Sequence, residues 1–180
     1  MLSQQSKFMT SYGDTYRDFK MWECARATSA APTYFEPFEF NNMVCLDGGL
    51  FANNPALFGL VEAQKYWGWR KKYMIVSLGT GSLIQNIDKK QVDKFNTLTW
   101  AKNIFSYCSD GQSDTTEYQI KRLNDVIGYF RFQLQLTPEE SAMDNVSSSN
   151  LNNLIQKTKE YIHGEGKLDL QNLISLLTSE

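Results

Sequence analysis

The segment from Met43 to Pro55 constrains the fold more than any other part of the chain. The apolar run Met43–Leu46 predicts a buried strand that ends in the carboxylate of Asp47. Gly48 and Gly49 follow, and two glycines allow the backbone to turn sharply and another group to approach closely. Because α/β sheets build their sites at the carboxyl ends of strands, Asp47 is a candidate general base.

Asn54 and Pro55 are typical of a helix start, since asparagine caps free N–H groups and proline favours the first helical position. The helix predicted after them has an apolar stripe, with Gln64 outside it and Gly68 at its end: Ala56, Leu60, Ala63 and Trp67. We therefore expect Gly48, Gly49 and Asn54 to shape the surroundings of Asp47. Asn54 has two open interpretations, a helix cap and a group that orients Asp47.

The remaining patterns predict a single α/β domain over residues 1–180, with a mostly parallel sheet and helices on both faces. Tyr73–Leu78 is a near-continuous apolar run, typical of a parallel strand buried on both faces. Upstream we expect a helix over about residues 15–30, packed closely through the small residues Ala25–Pro32. A short strand at Phe38–Phe40 and a turn at Asn41-Asn42 complete that half.

The second half predicts a helix over about residues 89–107 that Asp110-Gly111 breaks. Asp114 and Glu117 are candidate caps of a further short helix. Apolar and polar residues alternate from Phe130 to Leu136, which predicts a half-exposed strand. Two C-terminal helices are expected within about residues 151–178, on either side of Gly164–Gly166.

The composition argues against several classes of protein. The chain has 180 residues and a formal net charge of −2, so it has no basic face for nucleic acid. Its three cysteines, Cys24, Cys45 and Cys108, lack metal-ligand spacing and suit small buried thiols in a reducing compartment. No apolar run has the length that spans a bilayer, and Met1–Ser6 is polar. We expect a cytosolic protein without a metal or organic cofactor.

Asp47 has no evident catalytic partner in this sequence. A turn aspartate that bonds its own backbone explains Asp-Gly-Gly as well as a general base does. No Gly-x-Ser-x-Gly nucleophile elbow occurs, and the one histidine, His163, lies near the end of a late helix. Gly79–Ser82 follows a strand but lacks the third glycine of a dinucleotide fingerprint and a Walker lysine.

Two stretches together resemble the patatin-like phospholipase family. They are Ala25–Phe35, which reads ARATSAAPTYF, and Leu46–Pro55, which contains Asp-Gly-Gly and Asn-Asn-Pro. Ser77–Gly81 and a looser block from Tyr129 to Asn145 extend the resemblance over about residues 20–155.

The resemblance implies a three-layer domain with phospholipase A-type activity on lipid acyl esters, carried by a Ser-Asp dyad. Asp47 matches the position of the base, which acts without a histidine. In the family the oxyanion loop and the serine elbow precede these blocks, and neither occurs in this sequence. We therefore expect the C-terminal portion of a truncated patatin-like domain.

The implied substrate is a phospholipid or another acyl ester at a membrane surface, which the protein would meet peripherally. An N-terminal half or another chain would cover the open sheet edges. The alternative is a catalytically inactive patatin-like domain that binds lipid or protein. A weaker alternative is a nucleotide-binding α/β protein that uses Gly79–Ser82.

Overall fold

The computed structural model describes residues 6–12, 16–83 and 88–179. These residues form two compact units. The first unit takes its residues from 1–55 and 101–115, and the second from 56–100 and 116–180. Helices and strands are mixed, and two of the three strand pairs in the described ranges are parallel. The predicted α/β class is confirmed.

The first unit is built around a two-stranded antiparallel hairpin. Helix α1 (Met21–Thr28) precedes strands β1 (Phe38–Phe40) and β2 (Met43–Cys45), and a short helix, α2 (Gly49–Ala52), follows them. The turn at Asn41 and Asn42 is confirmed, with φ of +48° and +58°. Positive φ at both central residues is the geometry that two-residue hairpins favour, and asparagine tolerates it.

The prediction of a buried strand at Met43–Leu46 is wrong. Strand β2 pairs with β1 and ends at Cys45. Val44 is 50% exposed and Leu46 lies beyond the strand. An apolar run of four residues does not distinguish a sheet interior from a short hairpin, because both give the same pattern.

Helix α1 starts later than the pattern indicates, at Met21, while residue 15, the start of the predicted helix, lies outside the described residues. Aromatic side chains of α1 and of the residues just before it pack on the hairpin. The ring centroids of Trp22 and Phe38 lie 6.2 Å apart, and those of Phe19 and Phe40 lie 5.1 Å apart. This contact fixes α1 against β1.

The second unit begins with α3 (Ala56–Trp67), which has the predicted length and ends before Gly68 at φ +103°. Its other elements are β3 (Tyr73–Leu78), β4 (Ser82–Leu83), α4 (Lys89–Val92), β5 (Val126–Phe132), β6 (Gln135–Leu136), α6 (Ser148–His163) and α7 (Lys167–Thr178). Strand β3 pairs with β5 and β4 with β6, both in parallel. The single strand predicted over 130–136 is therefore divided between β5 and β6.

Two predictions about burial in the second unit are wrong. Gln64 was expected outside the apolar stripe, but it is buried and its Nε2 donates to Asp125 Oδ2, a bond that offsets the cost of burying an amide. Strand β3 is not buried on both faces, since Leu78 is 76% exposed. In the part of the chain that the structure describes, β3 pairs with β5 alone.

Helix α5 (Thr97–Ile120) corrects the prediction for the middle of the chain. It runs through Asp110-Gly111 without a break, and residues 93–96 separate it from α4. Asp114 and Glu117 lie inside it and cap no helix start. A glycine in a helix interior costs about 1 kcal/mol relative to alanine, which the rest of a 24-residue helix offsets.

Two glycine substitutions test the described backbone, one inside α5 and one in the turn before β4. They should change the stability in opposite directions. A Cβ at Gly111 would meet no atom within 4 Å, so Gly111→Ala should raise the free energy of unfolding by about 0.5–1 kcal/mol. Gly81 has φ +113° and a Cβ there would overlap the Leu136 side chain, so Gly81→Ala should lower it by more than about 1 kcal/mol. Urea unfolding followed by circular dichroism measures both. A destabilised Gly111→Ala variant would contradict a continuous α5.

Candidate functional site

The Asp-Gly-Gly turn lies directly against the end of α1. The Asp47 N–H donates to the Ala30 carbonyl at 3.0 Å, and the Gly48 N–H donates to the Thr28 carbonyl at 3.1 Å. Such a close approach of two backbones needs small side chains, and Ala27 and Ala30 are buried here. The close packing predicted for Ala25–Pro32 is therefore confirmed, and this segment packs against the backbone of Asp47 and Gly48.

The Asp47 carboxylate is half-buried, and one of its oxygens is held in place. Oδ1 accepts the Gly49 N–H at 2.6 Å, a bond that the negative charge strengthens. Within the described residues, no group donates to Oδ2. A bond to its own turn is what the structural interpretation of Asp47 predicts. The second oxygen, Oδ2, is compatible with the interpretation of Asp47 as a general base.

Both glycines of the turn are needed for space rather than for an unusual backbone conformation. Gly48 has an ordinary helical φ of −63°. A Cβ on Gly48 would lie 2.8 Å from Thr28 Oγ1, and a Cβ on Gly49 would lie 2.8 Å from Asp47 Oδ1. Any side chain at Gly49 would therefore displace the carboxylate that its own N–H holds.

Asn54, the third expected site-shaping residue, is 2% exposed. Helix α3 begins at Ala56, so Pro55 immediately precedes the helix and is not its first residue. The two roles considered for Asn54, capping the helix and orienting Asp47, both stay predictions. Because Asn54 is buried, its side-chain amide is shielded from solvent.

Gln112 on α5 is a site residue that the sequence did not reveal. Its Oε1 accepts the Asn53 N–H at 2.7 Å, and its Nε2 donates to the Phe51 carbonyl. Both groups belong to the turn that starts at Asp47. From the sequence, Asp110-Gly111 was expected only to break a helix and Asp114 only to cap one, because no local pattern links residues so far apart in the chain.

Gly79–Ser82 does not have the geometry of a phosphate loop. The Gly79 N–H donates to the Phe132 carbonyl at 2.9 Å and the Ser82 N–H to the Leu134 carbonyl at 2.8 Å. A phosphate loop needs such N–H groups to point at its ligand. Because carbonyls of β5 and of its connection to β6 already accept these two N–H groups, the segment is a structural turn, and the nucleotide-binding alternative loses its support.

The cysteines and His163 add no catalytic group to the candidate site in the part of the chain that the structure describes. Burial raises the pKa of the Cys45 thiol, which disfavours the reactive thiolate. Cys108 is exposed rather than buried, contrary to expectation, and all three cysteines are free. His163 is the last residue of α6 and is exposed, as predicted. Across residues 6–12, 16–83 and 88–179, no three His, Cys, Asp or Glu side chains are grouped to hold a metal ion.

Comparison with known proteins places the two contacting blocks in one family. The model of the patatin-like phospholipases matches residues 3–59, which include Ala25–Phe35 and Asp47. The chain is related to the patatin-like phospholipases. The resemblance drawn from the sequence is thereby confirmed.

Three relatives illustrate the relationship. The 85/88 kDa calcium-independent phospholipase A2 of Rattus norvegicus is 33% identical over 90% of the chain and 22% of its own length. Calcium-independent phospholipase A2-gamma of Homo sapiens is 30% identical over 90% of the chain and 20% of its own length. Patatin-like protein 6 of Arabidopsis thaliana is 29% identical over 89% of the chain and 37% of its own length.

The chain thus spans between 20% and 37% of the length of these three relatives. No helix in the described part of the chain combines the length and apolarity that crossing a membrane requires.

A matched pair of glycine variants tests the geometry of the turn. Gly49→Ala should displace the Asp47 carboxylate, because the new Cβ would lie 2.8 Å from Oδ1. Gly59→Ala in α3 is the control, since its Cβ would meet nothing within 4 Å. We expect the thermal midpoint to fall by several degrees for Gly49→Ala, and to stay level or rise for Gly59→Ala. Equal midpoints for the two variants would contradict the described turn.

Proposed function

We propose that these residues are the C-terminal portion of a patatin-like lipid acyl hydrolase in which Asp47 is the general base. The observation that carries the proposal is the contact between the two family blocks, made by the Asp47 and Gly48 N–H groups on the end of α1. The phospholipase relatives support the lipid class of the substrate. The proposed substrate is a phospholipid or another acyl ester at a membrane surface, met by a cytosolic, peripherally bound protein.

The proposed chemistry assigns the nucleophile to a serine outside these 180 residues, which contain no Gly-x-Ser-x-Gly. Asp47 would accept the serine proton through Oδ2, the oxygen that Gly49 does not hold. The serine oxygen would then attack the ester carbonyl, the alcohol would leave with the proton, and water would hydrolyse the acyl-enzyme. Oxyanion donors would also lie outside these residues, and each typically lowers the activation barrier by about 2.7–4 kcal/mol.

The second candidate is a catalytically inactive patatin-like domain that binds lipid or protein. It is favoured by one observation, the absence from these residues of a serine elbow. Under this proposal Asp47 keeps only its structural bond to Gly49. The nucleotide sequence upstream of Met1 in the same gene separates the two, because a Gly-x-Ser-x-Gly in frame there supplies the missing nucleophile.

Hydrolysis by the complete polypeptide encoded by the gene tests the role of Asp47. Asp47→Asn keeps an oxygen that accepts the Gly49 N–H but loses the proton acceptor, so kcat should fall about 10²- to 10⁴-fold with little change in the thermal midpoint. Release of fatty acid from phosphatidylcholine vesicles measures it. Asp169→Asn, an exposed carboxylate on α7, is the control. Full activity of Asp47→Asn would exclude Asp47 as the base.

We further propose that additional segments or another chain cover the strand edges of the second unit. Strands β3 and β5 pair only with each other in the described ranges, and Leu78 and Ile127 on them are exposed. Unpaired strand edges with apolar side chains favour pairing with another segment.

The 180 residues expressed alone should therefore bind a hydrophobic dye or self-associate. Dye fluorescence and size-exclusion chromatography measure these properties. A monodisperse monomer that binds no dye and melts cooperatively would contradict the proposed cover.

A further inference from the structure

Helix α2 is too short to hold its own shape. It contains one turn, Gly49–Ala52, and starts two residues after Asp47. The Leu50 N–H donates to the Asp47 carbonyl at 3.2 Å, so a single turn connects Asp47 to the residues that follow. Isolated helices of this length are unstable, because nucleation fixes several residues for few hydrogen bonds. The turn therefore depends on contacts at both of its ends.

The near end of the turn is held by α1. The carbonyls of Thr28 and Ala30 accept the N–H groups of Gly48 and Asp47, as described above. These bonds fix the backbone where the turn begins. They leave the backbone after α2 unconstrained.

The far end is held by Gln112 of α5. Its amide accepts from the Asn53 N–H and donates to the Phe51 carbonyl, two groups on either side of Ala52. A neutral planar amide is the side-chain group that offers an acceptor and a donor side by side. Glutamine is thus suited to bind a backbone carbonyl and a backbone N–H simultaneously. Asn53 in turn lies close to the turn's start, with its Oδ1 3.5 Å from where a Gly49 Cβ would be.

We propose that Gln112 is a positioning residue for Asp47. It acts through the backbone of α2: by fixing Phe51 and Asn53 it fixes the orientation of the Gly49 N–H, and through that bond the direction of the Asp47 carboxylate. The inference rests on the proposed function, because the orientation of the carboxylate matters only if Asp47 receives a proton. A displacement of about 1 Å at a reacting group costs up to about 10²-fold in rate.

The first experiment measures the turn itself, on the complete polypeptide. Gln112→Met keeps the length of the side chain and removes both hydrogen bonds, and Gln119→Met on the exposed surface of the same helix is the control. Hydrogen exchange of the amides from Gly49 to Asn53 should become at least about fivefold faster in Gln112→Met, because the loss of even one hydrogen bond has an effect of this size. Gln119→Met should leave it unchanged.

A milder variant keeps the test decisive if Gln112→Met does not fold. Gln112→Asn retains the amide on a stem that is one methylene shorter, so it cannot reach both backbone groups. We expect exchange rates between those of the wild-type protein and those of Gln112→Met. Wild-type exchange at Gly49 in Gln112→Asn and Gln112→Met alike would overturn the proposal.

The second experiment separates positioning from simple stabilisation. Well below the melting temperature, Gln112→Met should lower kcat on phosphatidylcholine vesicles about 10-fold or more while KM stays within about twofold. A stabilising contact without a role in orientation would leave both parameters of the folded fraction unchanged, and that result would also overturn the proposal.

The two proposals fail in distinguishable ways. If Asp47→Asn retains full activity, the proposed function fails, and the exchange of the Gly49 amide still decides whether Gln112 holds the turn. If Asp47→Asn is inactive and Gln112→Met has wild-type exchange and kcat, the role of Gln112 fails and that of Asp47 stands.

Discussion

Two backbone hydrogen bonds organise the first unit of this chain: Asp47 N–H to Ala30 and Gly48 N–H to Thr28. Each is an ordinary amide–carbonyl bond, with a net contribution of about 1 kcal/mol. Their importance is geometric, because they join a hairpin exit to a helix end across residues that carry almost no side chain. Ala27, Ala30 and Gly48 together make room for this contact.

One oxygen of the Asp47 carboxylate stays available, because the Gly49 N–H holds only Oδ1. The direction of this carboxylate therefore depends on the rigidity of the turn, which groups outside the turn supply. Helix α1 supplies it on one side and Gln112 on the other. A side chain held by its neighbours' backbone rather than by other side chains has its direction set before any substrate arrives, which is the arrangement that catalysis by a positioned base requires.

Local chemistry made part of this structure predictable. The asparagine turn, the length of α3 and the span of β3 follow from residue types within a few positions of one another. The close packing of Ala25–Pro32 was expected from its small residues, and the structure shows that the backbone of Asp47 and Gly48 is what packs there. What the sequence could not reveal depends on distant partners: the bond of Gln64 to Asp125, the clamp of Gln112 on the turn, and the passage of α5 through Gly111. The left-handed φ of +77° at Thr33, unusual for a β-branched residue, also has no local signal.

We propose that Oδ2 of Asp47, the oxygen that Gly49 does not hold, faces a serine supplied by the rest of the polypeptide. The most direct test is a crystal structure of the complete polypeptide after reaction with a fluorophosphonate, which labels activated serines covalently. We expect a phosphonylated serine whose Oγ lies about 2.6–3.2 Å from Asp47 Oδ2, the reach of a general base. An unlabelled protein, or an adduct on a serine far from Asp47, would contradict it.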